Sequence, residues 1–298
     1  MHARLLTLGV ALAAAVLGIA ATPAAAPVAV PAPIAAADPP PAVTYYVSLG
    51  DSVAAGYQPT TGRDEPVSYS DNLYATLRQS DPNLRFVRLG CDSETTTTMI
   101  DGGGRCAYPG ARSQLDYATQ FLAAHRGQVR FVTEDIGSND IYPCLGRAPA
   151  GLPDPGCLTE RLATVGANLT RINSALRAAG GDGPRYVGMN YYESQIASWR
   201  VGEPGRTRAT AVASAKNLLG ATIGAANSAT GWQTADVAGA FASNDFGNPV
   251  DVPGHGSLPR NVATICTLTW MCSEYKDIHA NPAGHRVIAA TFLPLLTG

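Results

Sequence analysis

A hydroxyl, an imidazole and a carboxylate are the working parts of nucleophilic acyl transfer, and this chain carries all three at informative positions. Ser52 lies in Val47-Ser48-Leu49-Gly50-Asp51-Ser52-Val53, where Thr44-Tyr45-Tyr46-Val47 reads as a buried strand that stops at a Gly-Asp-Ser turn. That turn presents a small hydroxyl at the carboxyl end of a strand, where open α/β sheets place their ligands. His279 follows far downstream, in Asp277-Ile278-His279, just before the last helical pattern. Two other strand-to-loop junctions carry polar groups, Gly90-Cys91-Asp92-Ser93 and Gly137-Ser138-Asn139-Asp140. With Ser52 as nucleophile and His279 as base, the amides of Ser52 and Ser93 and the Asn139 side chain would serve a developing oxyanion.

Each of these residues has a plainer role available. Gly-Asp-Ser is ordinary turn chemistry, and Asp51 is expected to form the turn and take no part in the reaction. Asn139-Asp140 could cap a helix, with Asp140 in a structural role. His255, in Pro253-Gly254-His255-Gly256, is the one rival base. His125 ends a predicted helix, and His285 reads as a surface or first-turn helical residue. The Asn168-Leu169-Thr170 sequon falls inside a predicted helix and reads as fortuitous.

The blocks Gly50-Asp51-Ser52, Gly137-Ser138-Asn139-Asp140 and Asp277/His279, in that order, resemble the SGNH (GDSL) family of esterases and lipases. The likeness extends to small secreted bacterial lipases with three local disulfides. It implies a flavodoxin-like sheet, Ser52 as nucleophile, Asn139 as oxyanion donor and His279 as general base. Two positions depart from the family pattern. Ser93 stands where the family has a glycine whose N–H joins the oxyanion hole. Lys276 stands three residues before His279, where the family has its aspartate, and Asp277 is only two before. Either Asp277 reaches the imidazole from a tight turn, or a backbone carbonyl orients it. The G-x-S-x-G elbow and the dinucleotide and P-loop glycine patterns are missing from the sequence.

The elements that must position these groups are legible from periodicity. Strands are expected at Tyr45–Leu49, Leu84–Leu89, Val129–Ile136, Arg185–Tyr191 and Trp232–Val237. Helical spacing marks Tyr69–Leu77, Gln114–His125, Leu158–Ala179, Arg208–Ala226 and Ala283–Leu296, with Leu218, Leu219 and Ile223 turned to the core. Strands alternating with helices predict an α/β, three-layer fold, a central parallel sheet of about five strands with helices on both faces.

Composition narrows the setting. A net charge of -2 over 298 residues leaves no basic patch for nucleic acid. Arg4 followed by the apolar run Leu5–Ala21 and small residues reads as a secretory signal peptide at 1–26. Residues 27–42 form an Ala/Pro-rich leader, expected to be disordered, and 43–298 one catalytic domain. Six cysteines in an exported chain imply disulfides; 15 pairings exist, and proximity favours Cys91–Cys106, Cys144–Cys157 and Cys266–Cys272. Closing a loop of about 15 residues stabilises by about 3 kcal/mol. No metal-ligand spacing occurs, and no cofactor is expected.

The sequence therefore reads as a secreted or envelope-retained serine esterase or lipase, monomeric, acting on small-molecule or lipid esters with transient lipid-surface contact. Trp199, Phe241, Phe246 and Trp270 are candidate walls for an acyl groove. A carbohydrate acetyl-esterase or phospholipase on the same scaffold is the alternative. A non-catalytic envelope-binding protein is the reading from a different class.

Overall fold

The computed structural model describes residues 42–298 together with Ala11, so the expected signal peptide and most of the leader lie outside the described residues. Five strands form one parallel sheet: β1 (Thr44–Gly50), β2 (Leu84–Arg88), β3 (Val129–Asp135), β4 (Arg185–Met189) and β5 (Gln233–Ala235). Their order is β2-β1-β3-β4-β5, the flavodoxin-like order, and all pairs are parallel. β1 is an interior strand, flanked by β2 and β3 and covered by helices on both faces, and its residues Tyr46, Val47, Ser48, Leu49 and Gly50 are all buried. A strand covered on both faces needs a continuous apolar run, which is why this segment is so readable.

The connecting helices are α1 (Ser52–Ala55), α2 (Tyr69–Ser80), α3 (Thr96–Asp101), α4 (Gln114–Ala124), α5 (Ser138–Ile141), α6 (Pro155–Gly180), α7 (Gly205–Thr230), α8 (Val237–Ala240), α9 (Arg260–Leu268) and α10 (Pro282–Thr297). Helices α4, α6 and α7 pack together in one layer, and α2 with α10 in the other. On α7 the core stripe is Val212, Leu219 and Ile223. Leu218, expected inside, is 54% exposed, because a helical step of about 100° turns it off that stripe.

The elements not anticipated include helix α9, the short helices α1, α3, α5 and α8, the 3₁₀ segments Tyr142–Leu145 and Ser194–Val201, and two short hairpins, Tyr57–Gln58 with Arg63–Asp64 and Val250–Val252 with Gly256–Leu258. The disulfides are Cys91–Cys106, Cys144–Cys157 and Cys266–Cys272, the pairing that proximity favoured. The first closes the loop after β2, the second ties the segment after α5 to α6, and the third ties α9 to the turn that precedes Asp277.

Candidate active site

The order of the sheet reverses between β1 and β3, and loops from those two strands leave in opposite directions to open a crevice. Ser52 is the first residue of α1, directly beyond β1. Asp51 caps that helix, its Oδ1 accepting from the Val53 amide at 2.9 Å and its Oδ2 from Tyr191 Oη at 2.9 Å. Gly50 has φ +140°, and a Cβ there would sit 2.1 Å from Asp135 Oδ1. The Gly-Asp-Ser block is thus a structural device that aims one hydroxyl: a glycine to pass Asp135, a cap to start the helix, and Ser52 at the first helical position, on the wall of the cleft.

Asp135 is itself fully buried, accepting from Tyr69 Oη at 2.8 Å and the Ala54 amide at 3.2 Å. Burial, then the negative Asp51 beside it, drives its carboxyl far above the usual range. Burial raises the Asp51 carboxyl as well, and its hydrogen bonds to Asp135, the Val53 amide and Tyr191 offset part of that rise.

His279 reaches Ser52 from the far end of the chain. Its Nε2 lies 2.8 Å from Ser52 Oγ, and its Nδ1 lies 2.6 Å from Asp277 Oδ1. The same Oδ1 accepts the His279 backbone amide at 2.9 Å, so the carboxylate closes a tight turn onto its own imidazole. Lys276, with φ +49°, provides the left-handed residue of that turn. Of the two ways to orient His279, the structure adopts the carboxylate. Burial raises the Asp277 carboxyl, but the hydrogen bonds from His279 and the charge of its imidazolium form outweigh it and hold the group below its ordinary range.

The segment around His279 is fastened on every side. Trp270 N donates to His279 O at 3.0 Å, Tyr192 Oη to Ile278 O at 3.2 Å, and Gln58 Nε2 to Ala280 O at 3.2 Å. Asn281 then caps α10 with Pro282 at its first position, the arrangement that starts a helix sharply.

Asn139 lies in α5, after β3, and lines the same narrow cleft as Ser52 and His279. One of its two amide hydrogens goes to Glu94 O at 2.9 Å, which leaves the other for a ligand. Ser93, next to Glu94, is exposed and does not line the cleft. Its φ of +64° is the conformation that favours glycine, and its N–H meets no acceptor among the described residues. The serine has kept the backbone of a glycine position. Asp140 is structural, accepting from Thr96 N and Oγ1 at 3.0 and 2.6 Å.

The other histidines lie elsewhere. The His255 ring is bonded to Arg200 Nη2 at 3.0 Å, in the turn of a hairpin outside the cleft. His285 occupies the first turn of α10 but is only 1% exposed, correcting the surface alternative. Its Nδ1 accepts from the Tyr69 amide at 3.1 Å, and burial pushes its pKa down to about 3.

Sequence reasoning missed a second polar group in the cleft. Lys216, on α7 and buried, donates to Ser138 Oγ at 2.8 Å and sits 3.8 Å from Glu193 Oε2. Burial lowers the lysine's pKa, and the Glu193 charge partly offsets this. The pair fastens α5, which bears Asn139, to α7. A usable signal existed: Lys216 and Lys276 are the only lysines in an arginine-rich chain, and both stand at this site.

The cleft around Ser52 is small, about 40 Å³, and shares Tyr142, Gln195 and Ile278 with an adjoining groove of about 930 Å³. That size lies at the upper end of small-molecule sites, about 300–1,000 Å³. Pro143, Ala148, Pro149, Ala197, Val201 and Met271 give it apolar walls. None of the four aromatic residues expected as walls takes part. Phe241 is fully buried against Tyr192, Trp199 packs on Phe246, and Trp270 donates its indole N–H to Gln58 at 3.0 Å.

A flavodoxin-like sheet with an in-line Ser–His–Asp array at its switch point defines the class of SGNH-type hydrolase folds. The chain belongs to the GDSL-like Lipase/Acylhydrolase family, whose model matches residues 48–287. Its fold is similar to that of the extracellular lipase of Streptomyces rimosus, with TM-score 0.54 and 19% identity over 85% of this chain and 98% of that one. It is similar also to an acetyl xylan esterase from Geobacillus stearothermophilus, with TM-score 0.51 and 14% identity over 85% and 94% of the two chains. No curated protein matches the sequence significantly.

Proposed function

We propose that this protein is a secreted serine hydrolase of carboxylic esters, with a signal peptide at 1–26, a tether at 27–42 and a catalytic domain at 43–298. The observation that carries this reading is the pair of hydrogen bonds in line, Ser52 Oγ to His279 Nε2 at 2.8 Å and His279 Nδ1 to Asp277 at 2.6 Å. Ser52 Oγ attacks the ester carbonyl as His279 Nε2 takes its proton. Asp277 fixes the tautomer with hydrogen on Nδ1 and stabilises the imidazolium that forms.

The oxyanion is met by the free hydrogen of Asn139 and the amide of Ser52, both residues of the cleft wall. Ser52 N–H is at the start of α1, where an amide has no partner within the helix. His279 then protonates the departing alcohol, and water attacks the acyl-enzyme with His279 again as base. The three disulfides support an oxidising, extracellular setting.

An organofluorophosphonate is expected to add covalently to the wild type and not to Ser52→Ala. Equal labelling of the two would overturn the assignment, and no labelling or turnover of either would favour a binding protein. Two observations pull the substrate in different directions. The groove of about 930 Å³ favours a long acyl chain, as in a lipase or phospholipase, while the cleft of about 40 Å³ alone would favour an acetyl ester of a carbohydrate. Turnover across acyl-chain lengths separates them: a maximum beyond butyrate supports the groove, and a maximum at acetate supports the cleft.

A further inference from the structure

Three cations stand on the walls of the large groove, Arg147, Arg200 and Lys276, and no carboxylate is among its lining residues. None of the three forms an ion pair among the described residues. This positive rim sits on a chain whose net charge is -2. The same mouth gathers exposed apolar side chains. Tyr142 and Val201 line it at 46% and 59% exposure. Leu152 (55%) sits on the adjoining loop, its carbonyl packed against the Gly146 wall, and Tyr275 (42%) precedes Lys276. These are four of the seven exposed large hydrophobic residues among the described residues.

Apolar groups flanked by unpaired cations match a lipid surface with negative headgroups. The aliphatic and aromatic tips enter below the headgroups, and the cations lie against phosphates. We propose that the mouth of this groove is a docking surface for an anionic lipid bilayer. The groove continues into the Ser52 cleft through Tyr142, Gln195 and Ile278, so a docked molecule can draw a lipid ester directly from the bilayer. This last step rests on the hydrolase reading; the docking itself does not.

The test is flotation of the mature Ser52→Ala chain with vesicles of phosphatidylcholine, with and without phosphatidylglycerol. Partition onto the anionic vesicles is expected to exceed that onto neutral ones by roughly 100-fold for three cations, and to weaken as salt is added. The triple variant Arg147→Glu, Arg200→Glu, Lys276→Glu should fall to the neutral-vesicle level. A charge-matched control on exposed arginines outside the groove, Arg85→Glu, Arg171→Glu, Arg185→Glu, should keep most of the binding. Equal partition onto both vesicles, no partition, or equal loss in both triple variants would overturn the proposal. Because binding is read on Ser52→Ala, a failure of docking leaves the hydrolase assignment untouched, and a failure of covalent labelling leaves docking untouched.

Discussion

His279 is held at both ring nitrogens, and the two bonds have different duties. The Nε2 contact to Ser52 moves a proton, whereas the Nδ1 contact to Asp277 decides which nitrogen is free to accept it. Asp277→Asn preserves the shape and removes the charge, so the triad predicts a loss of about 10³–10⁴ in kcat for ester hydrolysis. Near-full activity in that variant would mean that a backbone group suffices to orient the ring. Ser93 allows a cleaner stability test. Its φ of +64° costs a β-branched residue more than a serine, so Ser93→Val should lose about 1–2 kcal/mol in denaturant unfolding, while Ser93→Gly should lose little. Equal stability of the two variants would show that the turn relaxes.

At the scale of elements, the junction of β1 with α1 is the tightest point. A Cβ on Gly50 would meet Asp135 Oδ1 at 2.1 Å and its carbonyl oxygen at 2.5 Å. Asp135 cannot swing aside, because Tyr69 Oη and the Ala54 amide hold it. Gly50→Ala is therefore expected to cost at least about 4 kcal/mol, or to prevent folding, as measured by urea unfolding or by soluble yield. The strands and long helices of the main frame were legible because each shows a buried apolar face at its own period. The strand ends were legible too, and with them Ser52 and Asn139. Helix α9 was not, since Arg260-Asn261-Val262-Ala263-Thr264-Ile265 has a short stripe and threonines that serve strands equally well. Lys216 and Glu193 were invisible as a pair because α7 and the segment after β4 meet only in the folded sheet. The burial of His285 was hidden for the same reason: its partner, the Tyr69 amide, is 216 residues away.

Over the whole molecule, buried ionisable groups off the reaction path set how stability varies with pH. Glu134, on β3, is 3% exposed, and burial raises its pKa to about 8. The folded state therefore binds this proton more tightly than the unfolded chain, whose carboxyl titrates near 4.5. The stability associated with it is complete below about pH 4.5 and is lost as pH rises through 8. His285 works in the opposite sense. Its pKa falls from 6.5 to about 3, so its contribution is complete above 6.5 and is lost as pH falls toward 3. Between about 4.5 and 6.5 these two contributions oppose one another; above 6.5 only the Glu134 loss continues, and below 4.5 only the His285 loss. Between pH 6.5 and 8, above the range in which His285 opposes it, the loss attributable to Glu134 is about 2 kcal/mol, at 1.36 kcal/mol for each pKa unit. Glu134→Gln cannot ionise, so its unfolding free energy should stay flatter between pH 6.5 and 8 than that of the wild type. The amide must bury a group of its own, so the slope is the diagnostic quantity and the absolute stability is not. Parallel curves for the two proteins over that range would show that Glu134 is not the group responsible. The buried Asp135 proton, released in the same direction, would then be the next to examine with Asp135→Asn.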